Sequence, residues 1–354
     1  MHIYKFFFTY SLFLSLLFAG QALESAKVYI KDKNWEKAEE FLLKAIDHPK
    51  DRWEAAFHLG DKIYPRSNNW DKVSEYLTIA DTANDKLKIR PTRNDKKIPI
   101  KQAIMASRAK SYQIIYNRAA AFNSLIKNAK SDALKQTYLE QGINSAMDLR
   151  EFDPAQPGGY GLLAQFYISS RNKDGAVENV KKLINLPNIP EKDALIFFSF
   201  AGEVAQIFEE YDLAAEIYEQ ALEIDANNYD ILADIAVLYS RLGQHDKAIN
   251  SFLSIVDELT TDEALKAEVH YNLGASYIKI NNLDEAAYHF EEAYILNPED
   301  EQALFGMAVA FEESKLWRKA RKYYREAQKL NPSDERYQRG ISRTQIKEDQ
   351  EADS

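Results

Sequence analysis

One set of residues in this chain returns at a spacing of 34. Leu273-Gly274, Tyr277, Ala286, Phe290, Ala293 and Pro298 are followed, each 34 residues on, by Met307-Ala308, Phe311, Ala320, Tyr324, Ala327 and Pro332. Each such unit is expected to be a hairpin of two helices. Small residues at fixed places mark close backbone approach, so Gly274 of the first helix, A, is expected to face Ala286 of the second, B. Large residues such as Tyr277 and Phe290 fill the space between helices. Pro298 ends helix B, because it lacks an N–H and clashes with the preceding turn. A lone hairpin cannot bury its apolar face, so such units must stack on their neighbours.

Weaker copies extend upstream. They run Leu232, Ile235-Ala236, Tyr239, Ala248, Phe252, Ile255, then Phe198, Ala201-Gly202, Ala205, Ala214, Tyr218, Ala221. Before these come Tyr160, Leu163-Ala164, Tyr167, Ala176, Val180, Leu183 and, near the start, Ala26, Tyr29, Ala38, Leu42, Ala45. Leu59-Gly60, Val73, Leu77 and Ala80 form one more copy, with one extra residue between its helices. The period and the order of small and large residues resemble the tetratricopeptide repeat (TPR) over roughly residues 22–334. The resemblance implies an all-α fold, a right-handed superhelical solenoid of helix–turn–helix hairpins. It also implies a binding scaffold whose A helices line a concave groove.

The period divides the chain. Hairpins are expected over 23–84 and a regular array over 157–334. Residues 85–101, with two prolines and many charges, read as a basic loop, functional or mobile at that length. Residues 102–156 read as an irregular hairpin of lengthened helices. Its first helix carries a stripe of Ile104, Tyr112, Ile115, Ala119, Phe122 and Ile126, broken at Arg108. The Pro/Gly cluster Pro154–Tyr160 reads as a hinge. Residues 335–349 read as a capping helix with Tyr337, Ile341 and Ile346 turned inward, and 350–354 as a disordered tail. At the other end, the apolar run Phe6–Gly20 and the small residues of Gly20-Gln21-Ala22 read as a signal peptide spanning 1–22. Export to a periplasm or cell envelope is then expected, cleaved near Ala22, with an uncleaved N-terminal anchor as the alternative.

Composition removes several classes. The net charge of −10 argues against a general nucleic-acid binder, which needs a basic footprint. The absence of cysteine excludes disulfides, thiol catalysis and cysteine metal sites. No pair of histidines has metalloprotease spacing, and Gly158-Gly159 with Gly161 lacks the strand and lysine of a phosphate loop. His270 reads as core or groove, and His289 as part of a solvated face. Carboxylate pairs such as Glu209-Glu210 and Glu291-Glu292 read as solubilising charges. No enzyme activity, cofactor or metal is expected.

The candidate site is therefore a surface. Helix A residues placed in the groove are Ile196, Ile207, Val237, Arg241, Tyr271, Asn272, Phe305 and Val309, with Ser199 and Asp230 among their neighbours. Tyr271 and Phe305, one repeat apart, are placed to touch one peptide. The carboxylate clamp of chaperone-binding relatives of this repeat is not matched. Asn272 fits its asparagine, but Ala233, Val237, Gln302 and Gly306 stand where Lys, Asn or Arg is wanted. Protein or peptide partners are expected, with binding of glycans or cell wall through groove aromatics as the alternative. The 85–101 loop adds a weak contact with anionic membrane. Charge is segregated: residues 81–135 hold 13 Lys/Arg against 4 Asp/Glu, and 203–315 hold 5 against 25.

Overall fold

The computed structural model describes residues 21–91, 96–187, 189–256 and 262–352, together with Glu258. The apolar run Phe6–Gly20, on which the signal-peptide reading rests, lies outside them. The described chain is an all-α solenoid of antiparallel helical hairpins, interrupted by one minimal β-hairpin. It divides into two compact units, 1–179 and 180–354.

The first unit opens with α1 (residues 21–31) and α2 (Trp35–Ile46). Ala22, Leu23 and Ala26 of α1 are buried in its core, against Ala38, Leu42 and Ala45 of α2. The second hairpin pairs α3 (Arg52–His58) with α4 (Trp70–Asp81). Between them the chain passes through a π turn, Leu59–Ile63, and a 3-10 turn, Tyr64–Ser67. A π turn holds one residue more than an α turn. The single extra residue in this copy is taken up there, so Gly60 still packs against Leu77, where an added Cβ would lie 2.8 Å from Cγ.

The basic loop is anchored at its base. Strands β1 (Lys88–Ile89) and β2 (Ile98–Pro99) pair antiparallel, with Ile89 opposite Ile98. Ile89 and Ile100 are buried, and Leu87 O accepts from Ile100 N at 3.0 Å. Lys101 bridges Asp81 at 3.0 Å and Asp85 at 3.7 Å. Lys86, Lys88, Arg90, Lys96 and Lys97 stay exposed.

Helices α5 (Ile100–Lys127) and α6 (Asp132–Phe152) form the long hairpin. The buried stripe of α5 runs through Ala103, Ser107 and Ser111 to Ile115 and Ala119, beside rather than across Arg108. Arg108 faces out and donates to Thr78 Oγ1 at 2.8 Å. Helix α7 (Pro157–Ser169) starts with Pro157 in its first turn, where a missing N–H costs nothing. The Pro/Gly cluster is packed rather than hinge-like. A Cβ on Gly159 would meet the Arg150 backbone at 2.8 Å, and Gly158 N donates to the Tyr112 hydroxyl at 3.1 Å. The division between units falls instead within α8 (Lys173–Ile184).

The second unit contains four further hairpins and a last helix. They are α9 (Glu191–Ile207) with α10 (Tyr211–Ile224), α11 (Tyr229–Arg241) with α12 (His245–Val256), α13 (Glu263–Lys279) with α14 (Leu283–Leu296), α15 (Glu301–Glu313) with α16 (Trp317–Leu330), and α17 (Glu335–Ala352). Each helix packs on the next, and successive A helices α11, α13 and α15 also touch one another. The A-to-B turns share one geometry. Glu209, Gly243, Asn281 and Lys315 each take a left-handed φ of 58–73°. The N–H of the following residue reaches back to the end of helix A, as from Leu316 to Phe311 O at 2.8 Å.

The small residues do not face one another as the sequence suggests. Gly274 packs on Phe290, not Ala286, and a Cβ there would lie 2.9 Å from the ring. Gly306 of the next A helix approaches the same ring from outside, at 2.5 Å. Gly202 meets Tyr218 and Gly340 meets Tyr324 in the same manner. The B-helix aromatic is the wedge, and glycine on the A helices makes room for it.

The C-terminal helix differs from the sequence expectation in two ways. Tyr337, Gly340 and Thr344 form the buried stripe of α17, while Ile346 is 56% exposed. Nine residues from Tyr337 place Ile346 on the opposite side of the helix. The helix also runs on to Ala352, into the segment expected to be disordered. Glu348 pairs with Arg318 and Arg321, and Trp317 Nε1 donates to Glu351 at 2.7 Å, so charge and hydrogen bonds extend it.

Candidate functional site

Among the described residues no group of three or more His, Asp or Glu is placed to hold a metal, and no helix is long and apolar enough to cross a membrane. Two of the histidines are packed against each other. His270 on α13 and His289 on α14 bring their Nδ1 atoms to 3.0 Å. One must donate and the other accept. His289, expected on a solvated face, is 4% exposed and stacks on Tyr277 at 5.3 Å. Burial, followed by the neighbouring His270, depresses its pKa to about 4. The residue before the B-helix aromatic is buried in another copy as well, as Ile217. That comparison is the signal for burial at His289.

The A-helix face of the second unit carries the sequence-predicted residues. Helix α9 shows Ile196, Phe200, Glu203 and Ile207 at spacings of four, three and four, which places them on one stripe. Ile196 is 67% exposed and Ile207 57%. Between this stripe and α11 lies a cleft of about 410 Å³. Leu195, Ile196, Ser199, Phe200 and Glu203 line one side, and Asn228, Asp230 and Ile231 the other. Sequence reasoning found Ile196, Ser199 and Asp230 but missed Phe200, Glu203 and Asn228. The helical spacing from Ile196 would have found the first two.

One turn beyond Asp230, Asp234 is half buried. Burial raises its pKa; a hydrogen bond from Tyr218 opposes the rise, and the like charges of Glu203 and Asp230 add to it. Tyr218 is itself fixed by Gln206 Nε2, which donates to its hydroxyl at 3.0 Å. Val237 is half buried a turn further along. Arg241, at the end of α11, is turned back onto α10, its guanidinium 5.6 Å from the centre of the Tyr211 ring.

Tyr271 and Phe305 are both half buried and packed into their repeats. Tyr271 meets Phe290 edge-on at 5.5 Å. Phe305 lies 5.8 Å from Tyr324 and 5.6 Å from Tyr337, with the Arg336 guanidinium 4.9 Å over its face. Asn272 and Val309 are half buried on the same two helices. The structure thus sets Ile196 and Ile207 on a free stripe, and Tyr271 and Phe305 on ribs where only part of each ring is accessible.

Comparison with known proteins places the repeat. Tetratricopeptide-repeat family models match residues 208–268, 267–300 and 302–334. The TPR repeat-containing protein YpiA of Bacillus subtilis is 20% identical over 211 residues, which is 60% of this chain and 48% of the relative. The photosystem I assembly protein Ycf3 of Synechococcus elongatus is 31% identical over 112 residues, 30% of this chain and 64% of the relative. The chain therefore spans from about half to just under two thirds of these curated relatives. Among solved structures, YrrB, described as a TPR protein with an unusual peptide-binding site, is 19% identical with a TM-score of 0.47, covering 56% of this chain and 99% of its own. The C-terminal part of a TPR repeat-containing protein from Cytophaga hutchinsonii is 19% identical with a TM-score of 0.48, covering 64% and 84%.

Proposed function

We propose, from the premise that this chain is a tetratricopeptide-repeat protein, that the A-helix face of its second unit holds segments of protein partners and that the protein serves as a non-catalytic scaffold or adaptor in the cell envelope. The observation that carries the binding role is the free stripe of α9. Ile196 and Ile207 lie largely in water beside a cleft with an apolar floor. Exposed aliphatic side chains lined up along a groove mark an interaction surface more often than isolated ones do. The photosystem I assembly role named for Ycf3 supports work in the assembly of complexes, and envelope assembly, secretion or maintenance is the setting we assign.

The setting rests on the apolar N-terminal run. Cleavage near Ala22 leaves Leu23 and Ala26 to fill the first hairpin's core. The exposed lysines and Arg90 of the β1–β2 hairpin add a weak electrostatic contact with anionic membrane. In-cell crosslinking followed by mass spectrometry tests the binding role. Ile196→Ser with Ile207→Ser is expected to lose partners that the wild type captures, while Ile295→Ser, at a 61% exposed position of α14, keeps them. Retention of every partner by the double variant overturns the assignment of this face. Full-length protein in the cytosolic fraction overturns the envelope setting.

A further inference from the structure

Between residues 193 and 240 the chain has eleven Asp or Glu and no Lys or Arg. This stretch builds α9, α10 and most of α11, and so both walls of the cleft. Glu203 stands within the exposed stripe, and Asp230 opposite it. Asp234 adds a third carboxylate, half desolvated and held by Tyr218. Glu203 and Asp230 line the cleft, and Asp234, a turn beyond, is near enough to feel both; the three raise one another's energy as charged groups, and a low-dielectric wall strengthens that repulsion. An incoming cation relieves it, and an incoming carboxylate makes it worse.

Resting on the reading that this face binds protein segments, we infer that the cleft between α9 and α11 takes a cationic amphipathic peptide, one that alternates aliphatic side chains with Lys or Arg. The aliphatic groups cover Ile196, Phe200 and Ile231, while the cations meet Glu203, Asp230 and Asp234. The stripe continues to Ile207, about three helical turns along α9, which gives an extended segment a second apolar contact. Charge complementarity here selects the partner class, and apolar contact holds it.

The test uses the full chain and three labelled synthetic peptides of equal length, alternating Leu with Lys, with Gln or with Glu, read by fluorescence anisotropy. The lysine peptide is expected to bind at least about tenfold more tightly than the glutamine peptide, with the margin shrinking as salt rises. Glu203→Gln with Asp230→Asn should remove that margin. Glu216→Gln with Glu291→Gln, which removes the same charge from exposed positions of α10 and α14, should keep it. Equal binding of all three peptides overturns the inference and leaves the binding face in place. Equal loss in both charge variants also overturns it, because the attraction then belongs to net charge. If Ile196→Ser leaves every peptide's affinity unchanged, the inference and the binding face fall together.

Discussion

Phe290 is held from both sides by glycine, Gly274 of its own hairpin and Gly306 of the next. A methyl group on Gly306 would lie 2.5 Å from the ring, which has no room to retreat. Gly306→Ala is therefore expected to destabilise the protein by about 1–3 kcal/mol in urea denaturation, the usual cost of overpacking. Gly161→Ala on α7 is the contrast, since nothing lies within 4 Å of its added Cβ. It should be neutral or gain about 0.5–1 kcal/mol from helix propensity. The histidine pair supplies a prediction in pH. His289 has a folded pKa of about 4, below the value of about 6.5 in an unfolded chain. As pH falls the unfolded chain takes the proton first. The stabilisation is fully present above about pH 6.5 and is lost between there and about pH 4, up to about 3 kcal/mol. Denaturation midpoints at pH 7 and pH 5 should differ less in His289→Gln, which retains a hydrogen-bond partner for His270. The buried His58 of the first unit, also depressed to about 4 by burial, titrates in the same direction and keeps part of the slope in that variant.

At the scale of elements, the hairpin turn is what repeats most faithfully. Lys33, Asn68, Arg171, Glu209, Gly243, Asn281 and Lys315 occupy the same left-handed position in their A-to-B turns, Gly243 is the glycine among them, and the long α5–α6 hairpin has no such residue among those described. A left-handed conformation costs a residue with a Cβ roughly 1–2 kcal/mol. An added Cβ at Gly243 meets nothing within 4 Å, so only the backbone term acts. Gly243→Ala should lower the melting temperature by an amount that corresponds to about 1 kcal/mol, with no change in the urea m-value. The second hairpin shows how a defect in the period is absorbed. Its extra residue becomes a π turn at Leu59–Ile63, and α4 keeps Val73, Leu77 and Ala80 in the core. The elements were legible because helical spacing is a local property. The π turn was not, because an insertion can equally be a longer loop. Only the packing of Gly60 on Leu77 decides between them.

For the whole molecule, charge is sorted by place within the second unit. Residues 193–240 lack any Lys or Arg, whereas Arg318 and Arg321 of α16 and Arg343 of α17 are ion-paired at the end of the array. Glu348 takes Arg318 and Arg321, and Glu312 takes Arg343 Nη2 at 2.7 Å and the Tyr324 hydroxyl at 2.6 Å. These bonds fasten α17 over Tyr324, whose ring would otherwise form an open end. Three arginines thus help to close the array, while the stretch 193–240 that builds the cleft walls carries no Lys or Arg. The site was legible in part. Ile196 and Ile207 follow from their places on helix A. The half-burial of Tyr271 and Phe305 does not, because it depends on Phe290, Tyr324 and Tyr337 from other helices.

The sequence by itself determined the helical hairpin, its length, its stacking and its charge pattern, because each is written in spacings of a few residues. The tertiary structure decided which member of each adjacent pair is buried. His289 turned inward and Ile346 outward because neighbouring residues on a helix differ by about 100° in direction. The helix that packs opposite, rather than the residue's own polarity, selects which direction is covered.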